Sequence, residues 1–197
     1  VLRIENTTSG SVLEVYDVLG ESSLYIVGEI IMPVAHCLLG LGSIDDIKSV
    51  CSHPQALAQC DGFLNSKGYK RIQSVNTAVA AKECKEKGDI TAGVIASRMC
   101  GELYGLNILK EGIEDRKGNK TRFIVISRNR EDSAAADKAS ITFTLPHRQG
   151  SLIEMLSHFK DVNLTKIESR PVGDFEYRFY LDFVADRPVD VLHRIMG

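Results

Sequence analysis

Tryptophan is missing from this 197-residue chain, and proline occurs only five times. Lysine and arginine are scattered rather than blocked, so neither a stacking platform nor a basic stripe is available to a nucleic acid. A charge excess is lacking too: 24 basic residues stand against 26 acidic ones, for a formal net charge of −2. No overall field therefore draws in a polyanion or an anionic membrane surface. No run approaches about 18 apolar residues and no signal-peptide pattern opens the chain, so no membrane span is expected. The five cysteines form no C-x-x-C pair. An odd, unpaired set argues against a disulfide framework and for free, mostly buried thiols in a reducing, cytoplasmic setting.

What is present is ordinary globular material, 44% hydrophobic and 25% charged. The length suffices for one sizeable core or two smaller ones. The chain opens on Val1-Leu2-Arg3-Ile4 without a start Met or a lead-in strand. It reads as an N-terminally truncated part of a longer protein.

Residues 12–19 place Val12, Val15, Tyr16 and Leu19 on one helical face. Residues 24–31 and 34–41 are apolar and rich in β-branched residues, as expected of strands covered on both faces. A helix starts at Ser52 or His53 with Pro54 in its first turn and ends at Gly68. Strands are expected at 70–75, 90–96 and 120–127, with helices capped by Asn76 or Thr77 and by Ser97. Such β/α alternation predicts a layered α/β domain over residues 1–128. The small, polar and charged stretch 129–138 reads as a linker. Residues 139–197 then carry a strand (140–145), a helix (150–159), a strand (164–169), a second strand and a helix (189–196). In that second strand Phe175, Tyr177, Phe179, Leu181 and Phe183 alternate with polar or small residues, the period of a half-buried strand with its aromatics in the core. The order βαββα is a ferredoxin-like βαββαβ unit without its last strand.

Several tempting motifs fail. Gly40-Leu41-Gly42 lacks the third glycine and the context of a dinucleotide site. His36-Cys37 and Cys51-x-His53 have no matching second pair for a metal, and a packed histidine beside a buried cysteine is the simpler reading. Four polar clusters stand where α/β domains place ligands: Glu5-Asn6-Thr7-Thr8-x-Gly10-Ser11, Ser52-His53-Pro54-Gln55, Asn76-Thr77-Ala78 and Asn119-x-Thr121-Arg122-Phe123. Three adjoin expected helix starts, where backbone N–H groups and the helix dipole favour an anion, although each cluster alone also fits a simple cap.

Motifs resolve the choice by resemblance. IENTTSG (4–10), SHPQALAQC (52–60), ASRMCGELYGLNIL (96–109) and NKTRF (119–123) follow the order and spacing of the prephenate dehydratase motifs. LPHRQGSL (145–152) resembles that family's Gly-Ala-Leu-Val region, and LTKIESRP (164–171) its Glu-Ser-Arg-Pro signature, both in a regulatory ACT domain. VYDVL, IVGE and HCLL look most like the bacterial bifunctional chorismate mutase–prephenate dehydratases. The family's N-terminal Gly-rich segment is absent, the ACT loops are short, and Asn76 stands where the family has Ser.

The resemblance implies a partial, two-lobed catalytic domain like the periplasmic binding proteins, followed by the ACT domain. It implies a carbon–oxygen lyase converting prephenate to phenylpyruvate without a metal or other cofactor, inhibited by L-phenylalanine, and assembled as a homodimer or homotetramer. Arogenate dehydratase and a non-catalytic phenylalanine-binding module are the alternatives. Thr121, Asn6 and Gln59 are the implied catalytic residues, with Thr7, Ser52 and Thr77 as supporting donors. Arg122 is expected to pair with a substrate carboxylate or to form a structural salt bridge, and Phe123 to wall the cleft. Gly150, Ser151 and Leu152, with Glu168, Ser169 and Arg170, are expected to hold L-phenylalanine.

Overall fold

A computed structural model describes residues 1–133 and 135–196. The chain opens with β1 (Leu2–Asn6), β2 (Gly10–Ser11), α1 (Leu13–Glu21), β3 (Tyr25–Pro33), β4 (Cys37–Gly40) and β5 (Ser49–Ser52). There follow α2 (Pro54–Gln59), α3 (Asp61–Lys67), β6 (Lys70–Gln73), α4 (Thr77–Lys87), β7 (Ala92–Ala96), α5 (Arg98–Tyr104), β8 (Asn107–Glu111) and β9 (Lys120–Ser127). The C-terminal part is β10 (Lys138–Thr144), α6 (Ser151–Ser157), β11 (Asn163–Gly173), β12 (Glu176–Val184) and α7 (Pro188–Met196). Internal contacts group the chain into two units, Val1–Ile31 with Arg122–Gly197, and Met32–Thr121.

The Met32–Thr121 unit is built on a five-stranded sheet of order β6-β5-β7-β4-β8. β5 runs parallel to β6 and β7, while β4 is antiparallel to β7 and β8. Alternate residues of the central strands face opposite layers. Leu38 and Ile95 pack with Leu57, Cys60 and Leu64, whereas Leu39 and Val94 pack with Ala80, Ala81 and Cys84. Both faces are covered, which is why these strands are apolar without a polar alternation.

The single helix expected from Pro54 to Gly68 is broken at Cys60 (φ −118, ψ 24) into α2 and α3. Asp115 causes the break. Its N–H donates to the Gln59 carbonyl at 2.8 Å, and its carboxylate accepts from the Gly62 N–H at 3.1 Å, starting a new helix. Gly68 ends α3 at φ 66, a left-handed conformation suited to glycine. β5 and β8 were not expected, since each is short and carries polar residues, yet β5 lies in the sheet interior between β6 and β7. The five cysteines are free, and burial pushes the Cys60 thiol up to about 12, so it is a packing group rather than a nucleophile.

In the other unit a four-stranded sheet has the order β2-β1-β9-β3, and an antiparallel three-stranded sheet the order β10-β12-β11. The βαββα succession expected for residues 139–197 is present as β10-α6-β11-β12-α7. Leu181, Phe183, Phe159 and Val191 form its core. Two expectations about β12 are corrected. Phe175 and Tyr177 are not core: Phe175 sits 81% exposed in the tight β11–β12 turn, with a left-handed φ of 61, and Tyr177 beside it is exposed as well. Nor is β12 half-buried in its middle, because Tyr180 and Asp182 on the other face are also buried. Tyr180 packs edge-on against Tyr16 with ring centroids 5.1 Å apart and donates its hydroxyl to the Tyr16 carbonyl at 2.7 Å.

Among the described residues no helix is long and apolar enough to cross a membrane. Truncating Leu38, fully buried opposite Ile95, removes packing from the β4–β7 core. Leu38→Ala is expected to destabilise the protein by about 2–5 kcal/mol, read as a lowered urea midpoint at unchanged slope.

Candidate active site

β5, β6 and β7 are parallel, so their carboxyl ends share one edge of the five-stranded sheet. β5 and β7 lead directly, and β6 through a short loop, into a helix start. His53 Nδ1 accepts from the Gln55 N–H at 3.1 Å, Asn76 Oδ1 from the Val79 N–H at 2.7 Å, and Ser97 Oγ from the Cys100 N–H at 3.3 Å. α4, the longest of these helices, points its positive end at this edge behind Asn76 and Thr77. β4 runs the other way and pairs Cys37 with Ala96, which places His36 at the same edge.

His36 organises what lies around it. Its Nε2 bonds Gln59 Oε1 at 2.7 Å, and its backbone N–H donates to the Glu114 carboxylate at 3.0 Å. With the Nε2–H tautomer donating, the Gln59 carbonyl oxygen is the acceptor, which fixes the end of the amide that carries its N–H donors. Burial alone would raise the Glu114 carboxyl, but backbone N–H groups, including that of His36, and the Lys117 ammonium hold it below the ordinary value. The Asn119 carbonyl accepts from the Val34 N–H at 2.8 Å, so the segment leading to Thr121 runs beside residues 34–36. Asn119 and Thr121 are both buried.

Ser52 belongs to this edge by position but not by chemistry. It is fully buried and gives its proton to the Ile95 carbonyl at 2.7 Å, which corrects the expectation of a supporting donor to substrate. Thr77 is the first residue of α4 and half-buried. Among the described residues no group of three or more His, Cys, Asp or Glu could hold a metal ion.

In the other unit, Asn6 is buried at the end of β1. Its Oδ1 accepts from the Thr8 and Ser9 N–H groups at 3.0 and 3.1 Å, closing a turn on whose exposed tip Thr7 lies. The carbonyl end of the amide is thus spent on the turn, which sets the direction of its donor end.

Arg122 is engaged by carboxylates of the protein itself. Its Nε–H donates to Glu29 at 2.7 Å, its Nη1 to Asp182 at 2.6 Å, and Glu5 stands 3.8 Å away. The salt-bridge reading of this arginine is the one realised. Phe123 is half-buried on the same strand.

The residues expected around L-phenylalanine divide between two places. Ser151 and Leu152 line a cavity of about 470 Å³ with Leu145, Arg148, Tyr177 and Phe179, and Gly150 caps α6 at φ 85. Glu168 and Arg170 point elsewhere. Glu168 accepts from the Ser11 hydroxyl at 2.7 Å, and Arg170 forks onto both carboxylate oxygens of Asp17 at 2.8 and 2.7 Å. Ser169, between them on β11, is exposed. Lys166 shares their face and bonds Glu5 and Ser11, each at 3.0 Å. His36, Asp17, Lys166, Glu29 and Asp182 were missed from sequence. A period-2 pattern on 166, 168 and 170 was the one available signal.

Removing Arg122 leaves Glu29 and the buried Asp182 facing one another without their shared cation. Burial raises the Glu29 carboxyl, but Lys138 and Arg122 outweigh it and hold it below its ordinary 4.5. A lowered folded pKa contributes stability above the unfolded value and loses it as pH falls through the folded one. Arg122→Met is therefore expected to cost about 3 kcal/mol at neutral pH, with the difference from the parent shrinking below the carboxylate range, as measured by denaturation between pH 7 and pH 3.

The prephenate dehydratase family model matches residues 1–131. The chloroplastic arogenate dehydratase/prephenate dehydratase 1 of Arabidopsis thaliana is 43% identical over 94% of this chain and 53% of its own length. A bifunctional chorismate mutase/prephenate dehydratase of Neisseria gonorrhoeae is 36% identical over 95% of this chain and 54% of its own length. The chain thus spans about half the length of the curated relatives it matches. The solved prephenate dehydratase of Arthrobacter aurescens in complex with L-Phe superposes with a TM-score of 0.82 at 30% identity, covering 98% of this chain and 69% of that one. GqqA, described as a novel type of quorum quenching acylase, gives a TM-score of 0.83 at 31% identity over 98% of this chain and 75% of its own. The mixed α/β fold is thus one found in solved prephenate dehydratases, and with the family signature running through most of its length the chain belongs to the prephenate dehydratase family.

Proposed function

We propose that the protein carrying this chain is a dehydratase that converts prephenate to phenylpyruvate, carbon dioxide and water. Residues 1–128 would serve catalysis, 129–138 link, and 139–197 regulate as an ACT domain. The bond from the ring to its carboxylate breaks, its electron pair passes through the ring, and the hydroxyl leaves with a proton as water. The ring becomes aromatic and the change is redox-neutral, so the protein has to hold a dianion and assist one departing oxygen.

The observation that carries this reading is the oriented Gln59 amide at 2.7 Å from His36, on the sheet edge to which α4 also points. Thr121 acts as a hydrogen-bond donor to the departing hydroxyl, because its own proton is too weakly acidic to be transferred freely. Gln59 and Asn6, whose amides are turned by His36 and by the 6–9 turn, are neutral donors to the substrate. Thr77 and the α4 N-terminus suit a carboxylate. Arogenate, in which an amino acid replaces the keto acid of the side chain, is the second reading, favoured by the 43% identity to a plant enzyme named for both activities.

The cavity formed by the 145–152 turn and the β11–β12 hairpin is proposed as the L-phenylalanine site, a reading supported by the L-Phe complex of the Arthrobacter aurescens relative. Exposed Ile153, Phe175 and Tyr177 beside it would be covered by a second copy, giving at least a dimer.

The test is phenylpyruvate formation from prephenate, and phenylalanine formation from arogenate, by the full-length gene product. Thr121→Ala is expected to lower kcat by roughly 10²–10³ with little change in KM. Millimolar L-phenylalanine is expected to suppress turnover. Absence of turnover on both substrates would sink the reading.

A further inference from the structure

Beside the apolar packing of Tyr180 on Tyr16, a row of charged pairs joins the three-stranded sheet to β1, α1, β3 and β9, and it meets the chain at chosen places. Lys166 reaches Glu5 and Ser11, Glu168 reaches Ser11, Arg170 grips Asp17, Lys138 pairs with Glu29, and Asp182 takes Arg122. Glu5 immediately precedes Asn6, and Arg122 immediately follows Thr121. Both neighbours of proposed catalytic residues are therefore held by side chains of β11 and β12.

The same two strands end in the hairpin whose Phe175, Tyr177 and Phe179 line the 470 Å³ cavity. Arg170 stands only a few residues from that hairpin on β11. The Tyr16–Tyr180 packing already supplies apolar cohesion there, and partly exposed ion pairs add little to stability. What ion pairs add is register: forked and directional bonds such as Arg170–Asp17 distinguish one alignment of the strands from a shifted one.

We infer that this array is the coupling element through which occupancy of the cavity alters the Asn6 turn and the start of β9, and that Glu168 and Arg170 are couplers rather than ligands of the effector. The inference rests on the dehydratase reading for its catalytic consequence. It does not rest on it for the mechanical one.

Two variants of the full-length protein test it, Asp17→Ala and Lys166→Met, neither residue belonging to the catalytic or effector-binding sets. Turnover without effector and the Kd for L-phenylalanine by calorimetry are expected to stay within about threefold, while inhibition weakens about tenfold. The charge swap Asp17→Arg with Arg170→Asp is expected to restore inhibition, which a generic loss of stability would not allow. Hydrogen exchange of residues 2–12 is expected to respond to L-phenylalanine in the parent and not in the single variants. Inhibition that persists in both variants, or L-phenylalanine binding that disappears in them, would overturn the coupling role. A parent that turns over neither substrate, yet shows the exchange response lost in the variants, would remove the dehydratase reading and leave the coupling intact. A parent without any exchange response overturns the coupling itself.

Discussion

Arg122 is the constraint around which the Val1–Ile31 and Arg122–Gly197 unit is arranged. A guanidinium only 12% exposed has lost much of its water and has to recover the difference from charge and hydrogen bonds. Glu29 and Asp182 supply them at 2.7 and 2.6 Å, and Glu5 adds a longer-range attraction. Each carboxylate comes from a different strand: Glu5 from β1, Glu29 from β3 and Asp182 from β12. One side chain on β9 therefore ties together strands of both sheets in the unit. Neighbouring pairs depend on that register, because Lys138 shares Glu29 and Lys166 shares Glu5.

The Met32–Thr121 unit is held by different physics. Its sheet is covered on both faces by aliphatic and small residues, so its edge is rigid without needing charges in the core. Polar groups gather at the carboxyl ends of the strands, where helix starts need caps in any case. A site of oriented amides, hydroxyls and one helix end is the natural product of such an edge.

These two kinds of cohesion explain what the sequence made legible. β9 and the C-terminal βαββα were readable because their hydrophobic period is local. The Asn76 and Ser97 caps were readable because capping couples a side chain to an N–H only three residues away. β5 escaped because four residues with serine at both ends look like a loop until β6 and β7 flank them. Asp182 read as a solvent-facing alternate position because its partner lies sixty residues away in sequence. His36 read as a packed histidine, and only the fold brings it to Gln59, 23 residues on. Ser52 shows the converse. Its motif position suggested a donor, and burial assigned that donor to a backbone carbonyl.

That Arg122 is engaged by Glu29 and Asp182 also makes chemical sense for the proposed reaction. The ring carboxylate is lost as neutral carbon dioxide, so its negative charge drains away as the transition state is reached. A cation bonded to that carboxylate would stabilise the bound substrate more than the transition state, and would raise the barrier it was meant to lower. The departing oxygen is the opposite case, since charge accumulates on it, and a neutral donor fixed in position grows in value as the bond breaks. Thr121 and the Gln59 amide are proposed as donors of that kind. The adjoining arginine can then be spent wholly on holding the strand that carries it.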